Sequence, residues 1–343
     1  LAEPGKPPEP PQETKAEAPP ISLKKRFFNL RTLIVFTLAL AFIVFIFFRL
    51  DVDLATTWET IRGSNFLLYA LAFVAYYATF PLRGWRWKIL LRNAGFAREQ
   101  LPWVGRFSQM MLINWFTNCI LYARLGDAYR AYMLREEVAE ASFSKTLGTV
   151  LAERVIDVIS VVGLLLVAAL GFVHGEVAGT ARLILWLGFG LVALVGLALG
   201  AWWLLHPGLE RRLPGRLGGI YTLVKEGTFG SFRQLPLLAA LSVVIWLLEA
   251  VRLLGVSHAL GFSLGLEVIL FVALAHALIT AIPITPGGLG LAEAGVAGLL
   301  MLVVVREVAW SITILDRSIS YLSLVIFGLL VFMYRQIRLS RLR

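Results

Sequence analysis

The chain has 343 residues, of which 58% are hydrophobic and 16% charged, and its mean hydropathy is +0.77. These values exclude a soluble globular domain and describe a polytopic membrane protein. The formal charge of +10 lies between apolar runs, where it sets topology and meets anionic lipid head groups, so no nucleic-acid surface is expected. The single cysteine, Cys119, excludes an internal disulfide, and the four histidines have no metal-binding spacing. No cofactor or metal is expected, and no signal-peptide pattern precedes the first apolar run.

Residues 1–22 read as a disordered, Pro/Glu-rich cytoplasmic tail, ahead of a transmembrane domain over residues 23–343. Lys24, Lys25, Arg26 and Arg31 precede the first apolar run, 32–48, which points to a cytoplasmic N-terminus. The next run, 66–82, leads into a block of basic residues interleaved with tryptophans. Aromatic and basic residues together suit a membrane–water interface, so Arg83, Arg86 and Trp87 are expected to contact lipid there.

Residues 107–123 are apolar and carry Asn114 and Asn118 one turn apart. In the charged stretch that follows, Arg124 and Arg130 flank Gly126 and Asp127. Arginine forks suit phosphate oxygens; Asp127 is placed to orient them, and Gly126 permits close backbone approach. Run 146–172 opens with Glu153, Arg154 and Asp157. Glu153 and Asp157 are four apart and share a helix face. They either fix the start of that helix or hold the arginines of the preceding segment in place. Runs 182–205 and 235–258 come next. Glu249 and Arg252 in the second are three apart and are expected to pair. His258 and His276 read as packed or hydrogen-bonded rather than catalytic.

Residues 281–298, AIPITPGGLGLAEAG and three more, interrupt the apolar runs 267–282 and 289–305. Pro283 and Pro286 remove backbone donors, and Gly287, Gly288 and Gly290 allow backbone angles closed to other residues. Irregular backbone at membrane depth survives only where protein or a wet cavity covers it, and transporters place substrate at such breaks. Glu293 after the break either caps the second half-helix or meets a cationic group or proton. The last run, 309–334, contains Asp316 and Arg317. Arg317 is too deep to reach the interface, and a lipid phosphate is one partner for it.

Topology follows from the basic residues. If 107–123 enters and leaves on the cytoplasmic side, nearly all loop Lys and Arg fall inside; if it spans, they divide almost evenly. The segments 267–282 and 289–305 would each reach roughly 25 Å, short of a hydrocarbon core of about 30 Å. The expected fold is therefore an all-α polytopic transmembrane helix bundle. It has about six full spans (near 32–48, 66–82, 146–172, 182–205, 235–258 and 309–334) and two broken or re-entrant hairpins of opposite orientation.

Several blocks carry a resemblance. PITPGGLGLAEAG (283–295), RGWRWKILLRNAG (83–95) and LAERVIDV (151–158) resemble segments of the transmembrane region of lysylphosphatidylglycerol synthase, a flippase-like membrane family. YARLGDAYR is similar too, although Tyr122 stands where the family tends to show proline and Asp127 where it shows glutamate. The resemblance implies lipid translocation, and archaeal relatives are linked to dolichol-phosphate sugar handling. Together with the residue chemistry above, it points to a substrate site built from Arg124, Asp127, Arg130, Glu153, Asp157, Pro286, Gly287, Gly288, Glu293 and Arg317. The chain is expected to lack the synthase's soluble aminoacyl-transferase domain and to be a cell-membrane flippase rather than an enzyme. Its expected partners are membrane lipids, with a lipid-modifying enzyme or glycosyltransferase as a further one. The alternatives are an integral membrane enzyme acting on lipid-linked substrates, or a non-transporting partner subunit.

Overall fold

The structure, a computed structural model, describes residue 37 and residues 54–342, apart from 122, 139, 170–177, 214 and 282–284. The tail 1–22, the basic cluster at 24–31, almost all of the run 32–48, and Pro283 lie outside the described residues. Every element among the described residues is helical.

The first is α1 (Leu54–Arg62), followed by α2 (Phe66–Asn93). Asn65 caps α2: its Oδ1 accepts from the backbone N–H groups of Leu67 and Leu68 at 3.0 and 3.3 Å. α2 does not stop at the basic block as the apolar run suggested but continues through it to Asn93.

A hairpin follows, made of α3 (Val104–Ile120) and α4 (Leu125–Glu137). The chain reverses where Ala123 and Arg124 adopt φ of 56° and 50°, an uncommon left-handed conformation for residues with a side chain. Gly126 lets the two helices close. A Cβ there would meet the Asn114 carbonyl oxygen and stand 2.6 Å from Asn118 Oδ1. That oxygen accepts the Gly126 N–H at 2.8 Å. Gly126→Ala is therefore expected to cost about 1–3 kcal/mol by forcing the hairpin apart. A melting temperature in detergent equal to that of the wild type would show that the hairpin tolerates the methyl.

Next come α5 (Phe143–Ala169), α6 (Ala178–Arg212), α7 (Gly215–Gly230) and α8 (Leu235–Ala259). The second hairpin is α9 (Leu266–Ala281), a 3-10 turn at Pro286–Gly288, and α10 (Leu291–Leu300). The last long helix comprises α11 (Arg306–Arg317), a π-helical segment at Ser318–Ser323, and α12 (Leu324–Leu342).

Among the described residues, four helical stretches are long and apolar enough to cross a membrane: Phe66–Asn93, Arg182–His206, Leu235–Ala259 and Arg306–Ser340. α5 matches the expected span 146–172 in length, and its interior charges set it apart from those four. The expected pass 289–305 is shorter, because α10 ends at Leu300 and covers only about 15 Å. The fold is thus an all-α, multi-pass membrane bundle. α6 buries almost nothing inside the protein: only 6% of its apolar stretch is covered, as fits a helix facing lipid. The packed centre lies elsewhere, where α2 runs against α3 and α8, α5 against α7 and α9, and α12 against α3. Trp87, Phe107, Met110, Met111 and Ile113 fill it.

Candidate functional site

Three α2 tyrosines, at positions 69, 76 and 77, reach the last long helix. The hydroxyls of Tyr69 and Tyr77 bond Ser318 and Ser323 Oγ at 2.9 and 2.8 Å, and Tyr76 donates to the Ser320 carbonyl at 3.1 Å. All three serines lie in the π segment, immediately after Arg317. A π turn widens the helix and is frequent at functional sites.

The turns of the two hairpins meet beside this segment. Tyr321 donates to the Cys119 carbonyl at 3.1 Å, and Arg124 Nη2 donates to the Thr280 carbonyl at 3.2 Å. Gly287, Gly288 and Gly290 have φ of 58°, 74° and 82°, which glycine adopts without strain. Space matters as well as angle: a Cβ on Gly287 would lie 2.6 Å from the Tyr321 ring and 3.1 Å from Cys119 Cα.

Glu293 takes the capping role read from its position and pairs with an arginine of the chain. Its Oε2 accepts the Gly290 N–H at 2.7 Å at the start of α10, and its Oε1 accepts from Arg317 Nε at 2.7 Å. Arg317 also donates from Nη2 to the Gly287 carbonyl at 3.0 Å. One arginine thus holds the turn and the first residues of α10 together.

A cavity of about 120 Å³ lies between the two turns. Arg83, Arg124, Arg154, Arg252 and Arg317 line it, and Glu249 is the acidic residue among the lining side chains. Aromatic faces hold several of the cations. Arg83 sits 4.5 Å from the Trp115 ring and 5.5 Å from the Trp246 ring, Arg252 lies 5.2 Å from Tyr76, and Arg317 4.9 Å from Tyr321.

Ion pairs fix the arginines from behind. Arg83 meets Glu249 at 2.9 Å, and Arg252 bridges Glu249 at 3.5 Å and Asp316 at 3.2 Å. Arg154 meets Asp127 at 3.1 Å and Asp157 at 3.7 Å. Deeper, Arg86 contacts Asp157 at 2.7 Å and Glu153 at 2.8 Å, and Arg130 contacts Glu153 at 2.8 Å. With Arg317 and Glu293, each of these six carboxylates is committed to at least one guanidinium. Arg124 forms no ion pair among the described residues.

The sequence-read residues therefore divide. Arg124, Gly287, Gly288 and Arg317 line the cavity. Asp127, Glu153, Asp157 and Glu293 stand behind it and hold arginines, and Pro286 is buried in the turn. Two expectations are corrected. Arg130 is 0% exposed, 4.6 Å from the Trp87 ring and away from the cavity, and Asp127 orients Arg154 rather than Arg124 or Arg130. The interfacial reading of Arg83, Arg86 and Trp87 also fails: they are 2%, 0% and 0% exposed. They fail it because α2 turns that face inward, where carboxylates of α5 and α8 satisfy the guanidinium groups.

The profile described as "Lysylphosphatidylglycerol synthase TM region" matches residues 34–328. The chain belongs to this family. A UPF0104 membrane protein of Methanocaldococcus jannaschii is 31% identical over 220 residues, 63% of this chain and 93% of the relative. One from Pyrococcus horikoshii is 24% identical over 300 residues, 79% of this chain and 88% of the relative. The glycosyltransferase AglD of Haloferax volcanii is 26% identical over 308 residues, 77% of this chain but only 48% of that protein.

In this member of the lysylphosphatidylglycerol synthase transmembrane-region family, the cavity residues that sequence reading did not assign to a substrate site include Arg83, read as interfacial, Arg154, Arg252, read as an internal ion pair, and His276. A usable signal existed for three. Arginines at 83, 154 and 252 lie within or beside apolar runs, and a charge at membrane depth faces protein or a wet cavity. Nothing in the sequence near His276 marks it.

Proposed function

We propose that the protein is a lipid transporter that moves a phosphate-bearing lipid, of the aminoacyl-phospholipid or polyprenyl-phosphate type, across the cell membrane. The observation that carries this reading is the arginine-lined cavity at the meeting point of two broken hairpins. Guanidinium forks bind phosphate oxygens, and a low-dielectric surrounding strengthens each contact. The two hairpins enter from opposite faces, and both chain termini are cytoplasmic. The head group occupies the cavity while the acyl chains stay in lipid, which limits the cost of desolvation. The carboxylates near the cavity sit in ion pairs, an arrangement suited to holding arginines and not to acid–base catalysis. No Walker motif occurs in the sequence, so an ion gradient, a lipid gradient or a partner supplies any directionality.

Reconstitution tests this reading. In liposomes containing head-group-labelled phosphatidylglycerol, dithionite is expected to bleach the inner-leaflet label when the protein is present and to spare it in protein-free vesicles. Inner-leaflet label that stays protected for every phosphate-bearing lipid tested removes the transport reading. A new lipid species in the extract would instead mark an enzyme. The name of the Haloferax relative supports a second reading, in which this membrane unit works beside a glycosyltransferase; co-purification with one, without transport, would favour it.

A further inference from the structure

We propose that the head group is a phosphodiester with a net charge of one negative unit, carrying hydroxyls and no ammonium, and that Arg124 takes its phosphate oxygens. This rests on the cavity being the lipid site of the proposed transporter. The charge balance of the buried cluster is the first argument. Among the described residues it holds seven arginines (83, 86, 124, 130, 154, 252 and 317) and six carboxylates (127, 153, 157, 249, 293 and 316). Six of the arginines have carboxylate partners, and the seventh is Arg124. Among the described residues it bonds only the Thr280 carbonyl, a neutral acceptor. An uncompensated charge in a low-dielectric site is costly, so the cluster is completed by one anion. A phosphodiester carries that single charge.

The same balance disfavours an aminoacylated head group. A lysyl ester adds two ammonium groups, which only donate hydrogen bonds. The one carboxylate lining the cavity, Glu249, already bonds Arg83 through Oε1 and Arg252 through Oε2. Glu293 has likewise committed both oxygens. An ammonium in the cavity would face five arginines with no uncommitted carboxylate among the described residues.

The neutral lining completes the argument. Trp246, His276 and Thr285 line the cavity, and their Nε1, Nε2 and Oγ1 atoms are buried with no hydrogen-bond partner among the described residues. Buried polar atoms are usually satisfied. The indole N–H only donates, whereas the imidazole nitrogen and the hydroxyl can each find a partner in a group that both donates and accepts. Hydroxyls on the head group satisfy all three; ammonium groups cannot accept from Trp246.

Titration calorimetry of the full chain in detergent, using dihexanoyl lipids, tests the assignment. Phosphatidylglycerol is expected to bind at least about tenfold more tightly than lysyl-phosphatidylglycerol or phosphatidylcholine, and Arg124→Gln to erase about tenfold of its affinity. Phosphatidylmethanol keeps the charge without the hydroxyls and is expected to bind more weakly than phosphatidylglycerol. Equal binding of those two removes the hydroxyl part of the proposal. Lysyl-phosphatidylglycerol binding as tightly as phosphatidylglycerol overturns it, and so does the absence of any binding. The same lipids in the dithionite assay separate this from the transport reading. Ordered binding without transport removes the transporter and keeps the head-group assignment. Transport of all three charge types at one rate does the reverse.

Discussion

Arg86→Ala is expected to destabilise the folded protein by about 3–5 kcal/mol, the range for removing one partner from a buried ion pair. Arg86 is completely buried. Its Nη1 donates to Asp157 Oδ1 at 2.7 Å and to Ser242 Oγ at 2.6 Å, and its Nη2 donates to Glu153 Oε1 at 2.8 Å. One side chain from α2 thus ties together α5 and α8. Without it, two buried carboxylates four residues apart on α5 share only Arg130 and Arg154, and their mutual repulsion is no longer offset. The loss would be read as a large fall in the melting temperature in detergent. The exposed Arg98→Ala is the control and should leave the melting temperature unchanged. Adding Asp157→Asn to an Arg86→Met variant removes one of the orphaned charges and is expected to recover part of the stability, because the two residues couple. An Arg86→Ala protein as stable as the wild type would mean that α5 is held by apolar packing alone.

The largest effect on transport is expected from Arg317. Arg317→Ala should lower the rate by at least about tenfold, because it deletes two charge-assisted hydrogen bonds worth about 1.5–3 kcal/mol each, to Glu293 and to the Gly287 carbonyl. Both bonds hold the break in the second hairpin, and the guanidinium also forms part of the cavity wall. Charge alone does not replace it. Arg317→Lys offers a point charge without a planar fork and is expected to restore only part of the rate. Glu293→Gln keeps an oxygen that accepts the Gly290 N–H but loses the ion pair, so its rate should fall between those of the lysine variant and the wild type. The dithionite assay reads all three. Full-rate transport by Arg317→Ala would remove this residue from the site and leave Glu293 as a helix cap only.

Much of the fold is legible in one dimension. The apolar runs at 66–82, 182–205, 235–258 and 309–334 each lie within a long helix, because lipid leaves a chain few ways to satisfy its backbone. The break at 285–290 is legible too: glycine and proline act locally, whatever surrounds them. Arg317 was legible because a charge far inside an apolar run needs a partner.

Pairing was legible only in part: Glu249 meets Arg252 as expected, and Glu153 holds Arg130 of the first hairpin. The basic block at residues 83–98 has the composition of an interfacial anchor, and Trp85 there is indeed exposed, yet Arg86 and Trp87 are fully buried. Composition cannot say which face of α2 turns inward; the positions of Glu153, Asp157 and Glu249 on two other helices decide that. Asp127 was assigned to arginines close by in sequence, and it holds Arg154 instead, from a helix beyond the next turn.

From sequence alone this protein was determined to be a multi-pass helical membrane protein with a broken segment, since hydropathy, glycine and proline act through their immediate neighbours. Only the tertiary structure decided which arginines of the buried cluster meet a carboxylate among the described residues and that Arg124 does not. That outcome depends on distances between helices far apart along the chain. The proposed anion site rests on this charge, beside the break at 285–290.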